Sequence, residues 1–467
     1  KMSKSLGNVI DGVELLKKYP TDLIRFYFIW KASPIEPLSF STDELMSRPY
    51  QVINTLFNLH LYFKQNSEYD KFDETNTISW AKENGLLTSP DIWLVSKLQK
   101  IIKKITERNE SCKFHEAAKS IDDFIINNLS QIYIPITRGE LWDEDESKKN
   151  RRLAIYAVLR DVLKTLDVLI HPLCPFTSEY LYQTVFDGKK SILLDKWPQY
   201  QESLVNEEIE ESFDIMKDVV SISSAARMKG KLKRRWPLAE ALICVSKDQK
   251  KKLESLSNLL LSQLNVEKFT IYETEKESGL NQILELKQLN LPLIPVVELE
   301  RKKIGPKAKQ HMGKLVNMFS ETNKEEIITS LQKQGHYDYE IDGEKISLDS
   351  DDFVMDFDAN EVFAVSKRDN YIVFISTSRN KEMMARGLVK DIARRLQTLR
   401  KERGYNPTDI LNVASILDLD EESLEMVKEK SEDLAFLVRV KKVDFVESCK
   451  TYKEDDIDGQ KIRISVE

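Results

Sequence analysis

The stretch LAIYAVLRDVLKTLDVLI occupies residues 153–170 and is the richest apolar segment of the chain. Its apolar side chains recur at intervals of three and four residues, which is the period of an amphipathic helix. Arg160, Asp161, Lys164 and Asp167 interrupt it, and a membrane-spanning helix needs about 20 predominantly apolar residues. The stretch therefore predicts a buried helix and no membrane span.

Similar periodicity on the N-terminal side, in 92–107 and 114–129, predicts further helices of the same kind. Polar connectors separate these segments, so residues 46–185 are expected to form a helical bundle. Upstream of the bundle, Asp11 is expected to cap one helix and Thr21 a second helix over 22–30.

Beyond residue 185 the pattern becomes mixed. A long helix is expected over 206–229, followed by strands at 241–245 and 268–272 on either side of a helix at 247–264. Residues 301–467 predict a separate α+β unit, which includes a helix from about 380 to 403. The expected fold class is mainly α with α+β, a helical-bundle domain followed by a mixed α+β region. The expected regions are 1–45, 46–185, 186–300 and 301–467.

Charge and cysteine content exclude little on their own. The net charge is −7, but nucleic-acid binding depends on a local basic patch and not on the total charge. The four cysteines, Cys112, Cys174, Cys244 and Cys449, are dispersed and have no His at metal-ligand spacing. We therefore expect no metal site in this chain and a reducing, cytoplasmic location.

The first eight residues, KMSKSLGN, carry two lysines three positions apart, with hydroxyl residues around them and a glycine after them. Lysine is a compact charge that can follow a phosphate group as it moves, and serine hydroxyls and backbone amides add donors. This pattern predicts a loop that closes over phosphates and acts by positioning and charge stabilisation. The competing interpretation is a solvated Lys-Ser loop.

A second basic segment lies at residues 221–237, which contain no acidic residue. Cations next to an exposed indole suit RNA-backbone neutralisation and base stacking. The alternatives are a solvated helix end and a tryptophan that packs under it. The candidate tRNA-binding residues are Arg227, Lys229, Lys231, Lys233, Arg234, Arg235 and Trp236.

These motifs resemble a known family. KMSKS followed by LGN resembles the second signature of class I aminoacyl-tRNA synthetases, and KYPTDLIR at 18–25 stands where the usual pattern has YGADALR. FHEAA at 114–118 and HPLCPFTSE at 171–179 resemble the anticodon-binding helical domain. KLKRRWPL at 231–238 and ARGLVKDIARRLQ at 385–397 resemble the isoleucine enzymes of the archaeal and eukaryotic type.

The resemblance implies ATP-dependent activation of isoleucine to isoleucyl-adenylate and its transfer to isoleucine tRNA. It implies that Lys4, supported by Lys1, is catalytic by stabilising charge on the departing pyrophosphate, and that Met2, Ser3 and Ser5 complete the ATP-binding loop. ATP would enter with Mg²⁺. Relatives often bind zinc, although this segment shows no zinc site, and we expect a monomer.

The resemblance also places the start of the chain inside the ATP site. The nucleotide-binding Rossmann half, the amino acid pocket and the editing domain would lie upstream of Lys1, so we expect the chain alone not to activate isoleucine. Two alternatives remain: part of a valine enzyme, and a tRNA-binding module that does not catalyse. The helix near 380–403 also has a basic face with Arg386, Lys390, Arg394 and Lys401, for which a solvated surface is the competing interpretation.

Overall fold

The computed structural model describes residues 10–73, 75–143, 145–186, 190–275, 278–406, 409–446, 451–457 and 459–467. It divides the chain into two compact units, Lys1–Phe213 and Asp214–Glu467. The first unit is helical, and the second combines helices with small sheets. The expected fold class, mainly α with α+β, is confirmed.

The first unit is a bundle of packed helices. Its α-helices are α1 (Gly12–Lys18), α2 (Thr21–Lys31), α3 (Thr42–Leu45), α4 (Arg48–Tyr69), α5 (Ile78–Glu83), α6 (Ser89–Glu110), α7 (Phe114–Asp123), α8 (Ile134–Leu141), α9 (Lys149–Ile170) and α10 (Pro175–Phe186). A π-helix, Phe124–Tyr133, continues α7 into α8, and 3₁₀ turns occur at Glu146–Lys148, Ile192–Leu194 and Glu202–Leu204. The next helix, α11, spans Glu207–Lys229.

Helix α9 lies in the core of this bundle, as its apolar sequence predicts. Most of its residues between 154 and 170 are buried. Its charged residues are accommodated by pairing, because an unpaired buried charge is costly. Arg152 donates two hydrogen bonds of 2.9 Å to the Asp70 carboxylate, from its Nε and its Nη2, and the Tyr156 hydroxyl donates to the same carboxylate at 2.8 Å.

The second unit is built on two four-stranded sheets. Its strands are β1 (Leu238–Val245), β2 (Val266–Glu273), β3 (Leu293–Leu299), β4 (His336–Ile341), β5 (Glu344–Asp349), β6 (Phe353–Ala359), β7 (Phe363–Arg368), β8 (Tyr371–Ser376), β9 (Leu411–Leu417), β10 (Val440–Phe445), β11 (Lys453–Ile457) and β12 (Gln460–Val466). The first sheet has the order β2-β1-β8-β7 and the second has the order β10-β9-β12-β11. Two further pairs, β3–β6 and β4–β5, are antiparallel.

The helices of the second unit connect these strands and cover the sheets. They are α12 (Lys247–Glu254), α13 (Ser257–Leu264), α14 (Gly279–Gln288), α15 (Arg301–Ala308), α16 (Met312–Glu321), α17 (Lys324–Gln334), α18 (Lys381–Glu402), α19 (Glu421–Glu429) and α20 (Ser431–Val438), with a 3₁₀ turn at Lys309–His311 and another at Ser350–Asp352. Helices α12 and α13 form the crossover between the parallel strands β1 and β2, a connection that needs a dozen or more residues.

Two sequence expectations change in the structure. Thr21 is the first residue of α2 and does not cap it, because Pro20 is the N-cap residue and makes no side-chain cap. The single helix expected at 247–264 is two helices that break at residues 255–256. Strand β1 pairs with β8, which lies in the region expected at 301–467. The expected region boundaries stay predictions.

Helix α18 is the element of the second unit that matters most for the site below. The Asn380 side chain caps it by accepting from the backbone N–H of Met383 at 2.8 Å. The chain turns away after it at Gly404, whose φ of +80° suits a residue without a Cβ. One face of the helix packs into a hydrophobic core of the second unit through Leu388, Ile392 and Leu396. A neighbouring face, with Gly387 and Asp391, contacts the segment that follows α11.

Candidate nucleic-acid interface

The basic segment folds into a tight loop between α11 and β1. The N–H of Leu232 donates to the carbonyl of Arg227 at 2.8 Å, and the N–H of Lys231 donates to that of Met228 at 3.1 Å. These two bonds, with Lys231 at a φ of 53°, form a Schellman cap. Leu232 is buried and anchors the loop. The cap places Lys231 at a position that glycine normally occupies, and its side chain is exposed.

Arg227 is buried and does not face solvent, contrary to its place among the candidate tRNA contacts. Its guanidinium donates to four backbone carbonyls, those of Lys233 (3.2 Å), Trp236 (2.9 Å), Leu264 (2.8 Å) and Asn265 (3.0 Å). Burial, followed by the nearby charges of Arg234 and Arg379, lowers the pKa of Arg227 to about 10. The donors of Arg227 are therefore used to hold the loop in place.

Trp236 is half-buried and packs against α18, so the exposed indole expected from the sequence is not found. Its Nε1 donates to the Asp391 carboxylate at 2.9 Å. A Cβ on Gly387 would lie 2.5 Å from Cδ2 of the indole, so only a glycine at that position lets the ring approach the helix this closely. The packing alternative for Trp236 is the one that the contacts favour.

Two cations lie close to the Trp236 ring. The Lys233 ammonium lies 5.3 Å from the ring centroid and the Arg379 guanidinium lies 5.1 Å from it. Both distances are within the range of attraction between a cation and a π-face. The indole therefore helps to hold the side chains of Lys233 and Arg379 in place.

Asp391 is the one carboxylate at the centre of these contacts. It is 4% exposed and accepts from Trp236, while the Lys233 ammonium lies 3.3 Å and the Arg235 guanidinium 3.7 Å from its two oxygens. A buried carboxylate with several cationic partners orients them, because breaking such a pair leaves an uncompensated charge. Asp391 therefore fixes the basic loop against α18.

An open depression of about 400 Å³ lies between the loop and the helix. Its lining side chains are Lys233, Arg234, Arg235, Asp391, Arg394 and Arg395. Five cations and one carboxylate line the depression. Lys229, the last residue of α11, and Lys231, just beyond it, are also exposed. A cluster of exposed cations of this kind can bind the phosphate groups of a polyanion.

Five of the seven candidate tRNA-binding residues are thus exposed cations, namely Lys229, Lys231, Lys233, Arg234 and Arg235, and the last three line the depression. The structure also adds Arg394, whose place on a basic helix face was visible in the sequence without any sign that it meets the loop. The contributions of Gly387 and Asp391 left no signal in the sequence, because they depend on a contact between segments about 150 residues apart.

The candidate ATP-binding residues Lys1, Met2, Ser3, Lys4 and Ser5 lie outside the described residues. Within the described part of the chain, no three His, Cys, Asp or Glu side chains group closely enough to hold a metal ion. No helix among the described residues is both long and apolar enough to cross a membrane.

A second depression, of about 360 Å³, lies in the first unit and has a different character. Its aromatic lining includes Tyr50, Phe57, Phe176 and Tyr180, and the rings of Phe57 and Tyr180 are stacked with centroids 6.3 Å apart. The side chains that line it carry no charge, so it lacks the groups that would hold a phosphate.

Comparison with known proteins places these features in a family context. Residues 91–243 match the family model of the anticodon-binding domain of tRNA ligase, and residues 1–61 match a model of class I tRNA synthetases. The isoleucine–tRNA ligase of Methanopyrus kandleri is 27% identical over 100% of this chain and 42% of that protein. The isoleucine–tRNA ligase of Pyrococcus furiosus is 28% identical over 96% of this chain and 40% of that protein.

A third isoleucine–tRNA ligase, from Methanothrix thermoacetophila, is 28% identical over 100% of this chain and 43% of that protein. The resemblance to isoleucyl-tRNA synthetases that the motifs indicate is therefore confirmed, and it extends along the whole chain. This chain spans well under half the length of these curated relatives.

Proposed function

We propose that this relative of the isoleucine–tRNA ligases supplies the tRNA-binding part of such an enzyme, together with one loop of its ATP site. The observation that carries the proposal is the similarity to these ligases over the whole chain, in which a class I synthetase segment precedes an anticodon-binding segment. The complete reaction is activation of isoleucine by ATP, followed by transfer of the isoleucyl group to its tRNA.

The ATP-binding loop is the catalytic contribution that we assign to this chain. Lys4, supported by Lys1, holds the phosphates of ATP and stabilises the negative charge that grows on pyrophosphate as it leaves. Met2, Ser3 and Ser5 shape the loop and add donors. ATP enters with Mg²⁺, and the chain supplies neither a nucleophile nor a general base, since the loop acts through charge and position.

The tRNA-binding contribution centres on the basic loop and the depression beside α18. We assign phosphate contacts to Lys229, Lys231, Lys233, Arg234 and Arg235, because these side chains are exposed and positively charged. Phosphate contacts of this kind position an RNA and carry little sequence information. Arg227 and Trp236 act indirectly, since their polar groups already bind carbonyls and a carboxylate.

The alternatives differ in what they require of the rest of the protein. A valine enzyme would share the ATP-binding loop. The comparisons support a valine enzyme no better than they support an isoleucine–tRNA ligase. A non-catalytic tRNA-binding module requires only the second half of the proposal. We further propose that the protein acts as a monomer in the cytoplasm.

The test is a comparison of tRNAs on the purified chain. Filter binding of isoleucine tRNA, valine tRNA and an isoleucine tRNA with a changed anticodon, over a salt series, measures both affinity and its salt dependence. We expect the isoleucine tRNA to bind most tightly and the affinity to fall steeply with salt, because phosphate contacts release counterions. Preference for valine tRNA would favour the valine alternative, and no tRNA binding at low salt would refute the proposed function.

The catalytic half needs its own measurement. Isoleucine-dependent exchange between ATP and pyrophosphate by the complete protein, compared with this chain alone, separates an enzyme from a binding module. We expect exchange with the complete protein and none with this chain. A complete protein that binds isoleucine tRNA but exchanges no pyrophosphate with any amino acid would favour the module.

A further inference from the structure

Two arginines from distant parts of the chain line the same depression. Arg234 belongs to the basic loop and Arg394 to α18, and both side chains are exposed. Within the residues that the structure describes, neither guanidinium takes part in an ion pair or a hydrogen bond. Their donors are therefore available to a ligand.

The other cations of the depression are already engaged. The Arg395 guanidinium donates hydrogen bonds to the Asp455 carboxylate at 3.1 Å, to the carbonyl of Asp391 at 2.9 Å and to the carbonyl of Asp456. Lys233 and Arg235 both lie next to Asp391. Among the described residues that line the depression, Asp391 is the only carboxylate, and it pairs with Lys233 and Arg235 rather than with Arg234 or Arg394.

The chemistry of these two side chains favours a phosphate group. A guanidinium presents a planar fork of N–H donors that matches the oxygens of a phosphate, and it stays charged at all physiological pH values. Two unpaired guanidinium groups in one depression repel each other until an anion lies between them. The depression is open to solvent, and exposed Lys229 and Lys231 precede Arg234 by a few residues in the chain, which suits a backbone phosphate of a long chain better than a small enclosed anion.

We propose that Arg234 and Arg394 together bind one backbone phosphate of an RNA strand in this depression, and that Asp391 is the positioning residue that holds the loop wall against the helix wall. The proposal rests on the proposed function, since it assigns a specific phosphate-binding site to the RNA that this chain binds. It adds α18 to the RNA-binding surface as a second element beside the loop.

The first test replaces Arg394 by Ala in the purified chain and measures isoleucine tRNA binding over a salt series. Loss of one phosphate contact reduces the slope of log affinity against log salt by about 0.7–0.9. Because the two lines converge near 1 M salt, the affinity at 0.1 M salt should fall about five- to eightfold. Lys333→Ala is the matched control, since Lys333 is an exposed cation on α17 and lies outside the depression. Each variant is also melted to show that it stays folded.

The second test asks whether the two arginines bind the same phosphate. In a double-mutant cycle, side chains that share one ligand group give non-additive losses, whereas independent sites add. We expect Arg234→Ala combined with Arg394→Ala to lose less affinity than the two single losses multiplied together. Arg394→Lys should restore charge and salt slope but not the full affinity, because it lacks the fork. Multiplicative losses would refute a shared phosphate-binding site.

The third test separates the source of the phosphate and the class of ligand. Inorganic phosphate and poly-glutamate are titrated against bound tRNA at constant ionic strength. The proposal expects little competition from either at concentrations equal in charge to the tRNA. Equal competition by poly-glutamate would assign the depression to an acidic peptide, and competition by inorganic phosphate alone would assign it to a free anion, and each would overturn the proposal.

The proposed function and this inference fail in different ways. If the parent chain binds no tRNA, the proposed function fails. If the parent binds tRNA and the folded Arg394→Ala variant keeps its affinity and its salt slope, the proposed function stands and the phosphate-binding site is refuted.

Discussion

Replacing Lys231 by glycine should make the protein more stable and its RNA binding weaker at the same time. Lys231 is the left-handed residue of the cap that ends α11, with a φ of 53°. An L-amino acid in that conformation costs about 1–2 kcal/mol, because its Cβ lies too close to the following carbonyl oxygen. Glycine removes this cost but gains roughly 0.5–1 kcal/mol of conformational entropy in the unfolded chain. The net gain in the free energy of unfolding is about 0.5–1 kcal/mol.

The same change removes an exposed cation from the basic loop. If Lys231 contacts one phosphate, its loss lowers the salt slope of tRNA binding by about 0.7–0.9 and the affinity at 0.1 M salt by about five- to eightfold. Thermal unfolding should show a rise of roughly 1–4 °C for a folded unit of this size. Opposite signs in the two assays separate a lost contact from a damaged fold, since general destabilisation would lower both quantities.

The matched control is Lys231→Arg, which keeps both the charge and the left-handed strain. We expect it to melt with the parent and to keep the parent's salt slope. A glycine variant that melts below the parent would refute the assignment of strain to this cap. A glycine variant that melts higher but binds tRNA with unchanged affinity and slope would refute the phosphate contact.

Three further predictions follow from other parts of the chain. Gly387→Ala puts a Cβ 2.5 Å from the ring of Trp236, and we expect it to destabilise the second unit by about 1–3 kcal/mol and to weaken tRNA binding. Urea unfolding and filter binding measure the two effects, and a variant with the parent's unfolding midpoint would contradict the close packing. In the complete protein, Lys4→Ala should slow isoleucine activation about 100-fold, the scale for losing one transition-state donor, with little change in isoleucine affinity; equal exchange rates would remove Lys4 from catalysis. Exposed Cys112 should react with iodoacetamide at pH 8 well before Cys244, because burial raises the pKa of the Cys244 thiol to about 12 and leaves almost no thiolate. Peptide mass mapping of the labelled native protein measures this difference, and equal labelling of the two cysteines would argue against the burial of Cys244.

Much of the local structure follows from the sequence because local rules decide it. The apolar period of residues 153–170 predicts α9, and Asp11 caps α1 by accepting from the backbone N–H of Val13 at 2.7 Å, as its position suggests. Helix α18 is found at Lys381–Glu402, within a residue or two of its expected bounds. The later elements from β9 to β11 have short or weakly periodic sequences, and they were not predicted individually.

The motifs that indicate a family resemblance were also recognisable in the sequence, because each is a short continuous segment. The order of KMSKS, the helical-domain segments and the basic segment was enough to identify the resemblance to isoleucine enzymes, since each motif is a run of neighbouring residues. The clustering of cations at 227–235 likewise needed no structure to be recognised as a candidate site.

What the sequence could not determine is which of those cations face solvent. Arg227 is as basic in the sequence as Arg234, yet it is buried against four carbonyls while Arg234 stays exposed. Trp236 reads as a stacking residue until Gly387 and Asp391 are seen beneath it. These outcomes depend on contacts between segments far apart in the chain, and a side chain's burial and hydrogen-bond partners are properties of the folded packing rather than of the neighbouring residues. Sequence alone identified the family resemblance and the basic segment, whereas the tertiary structure decided which residues hold the loop and which are free to bind.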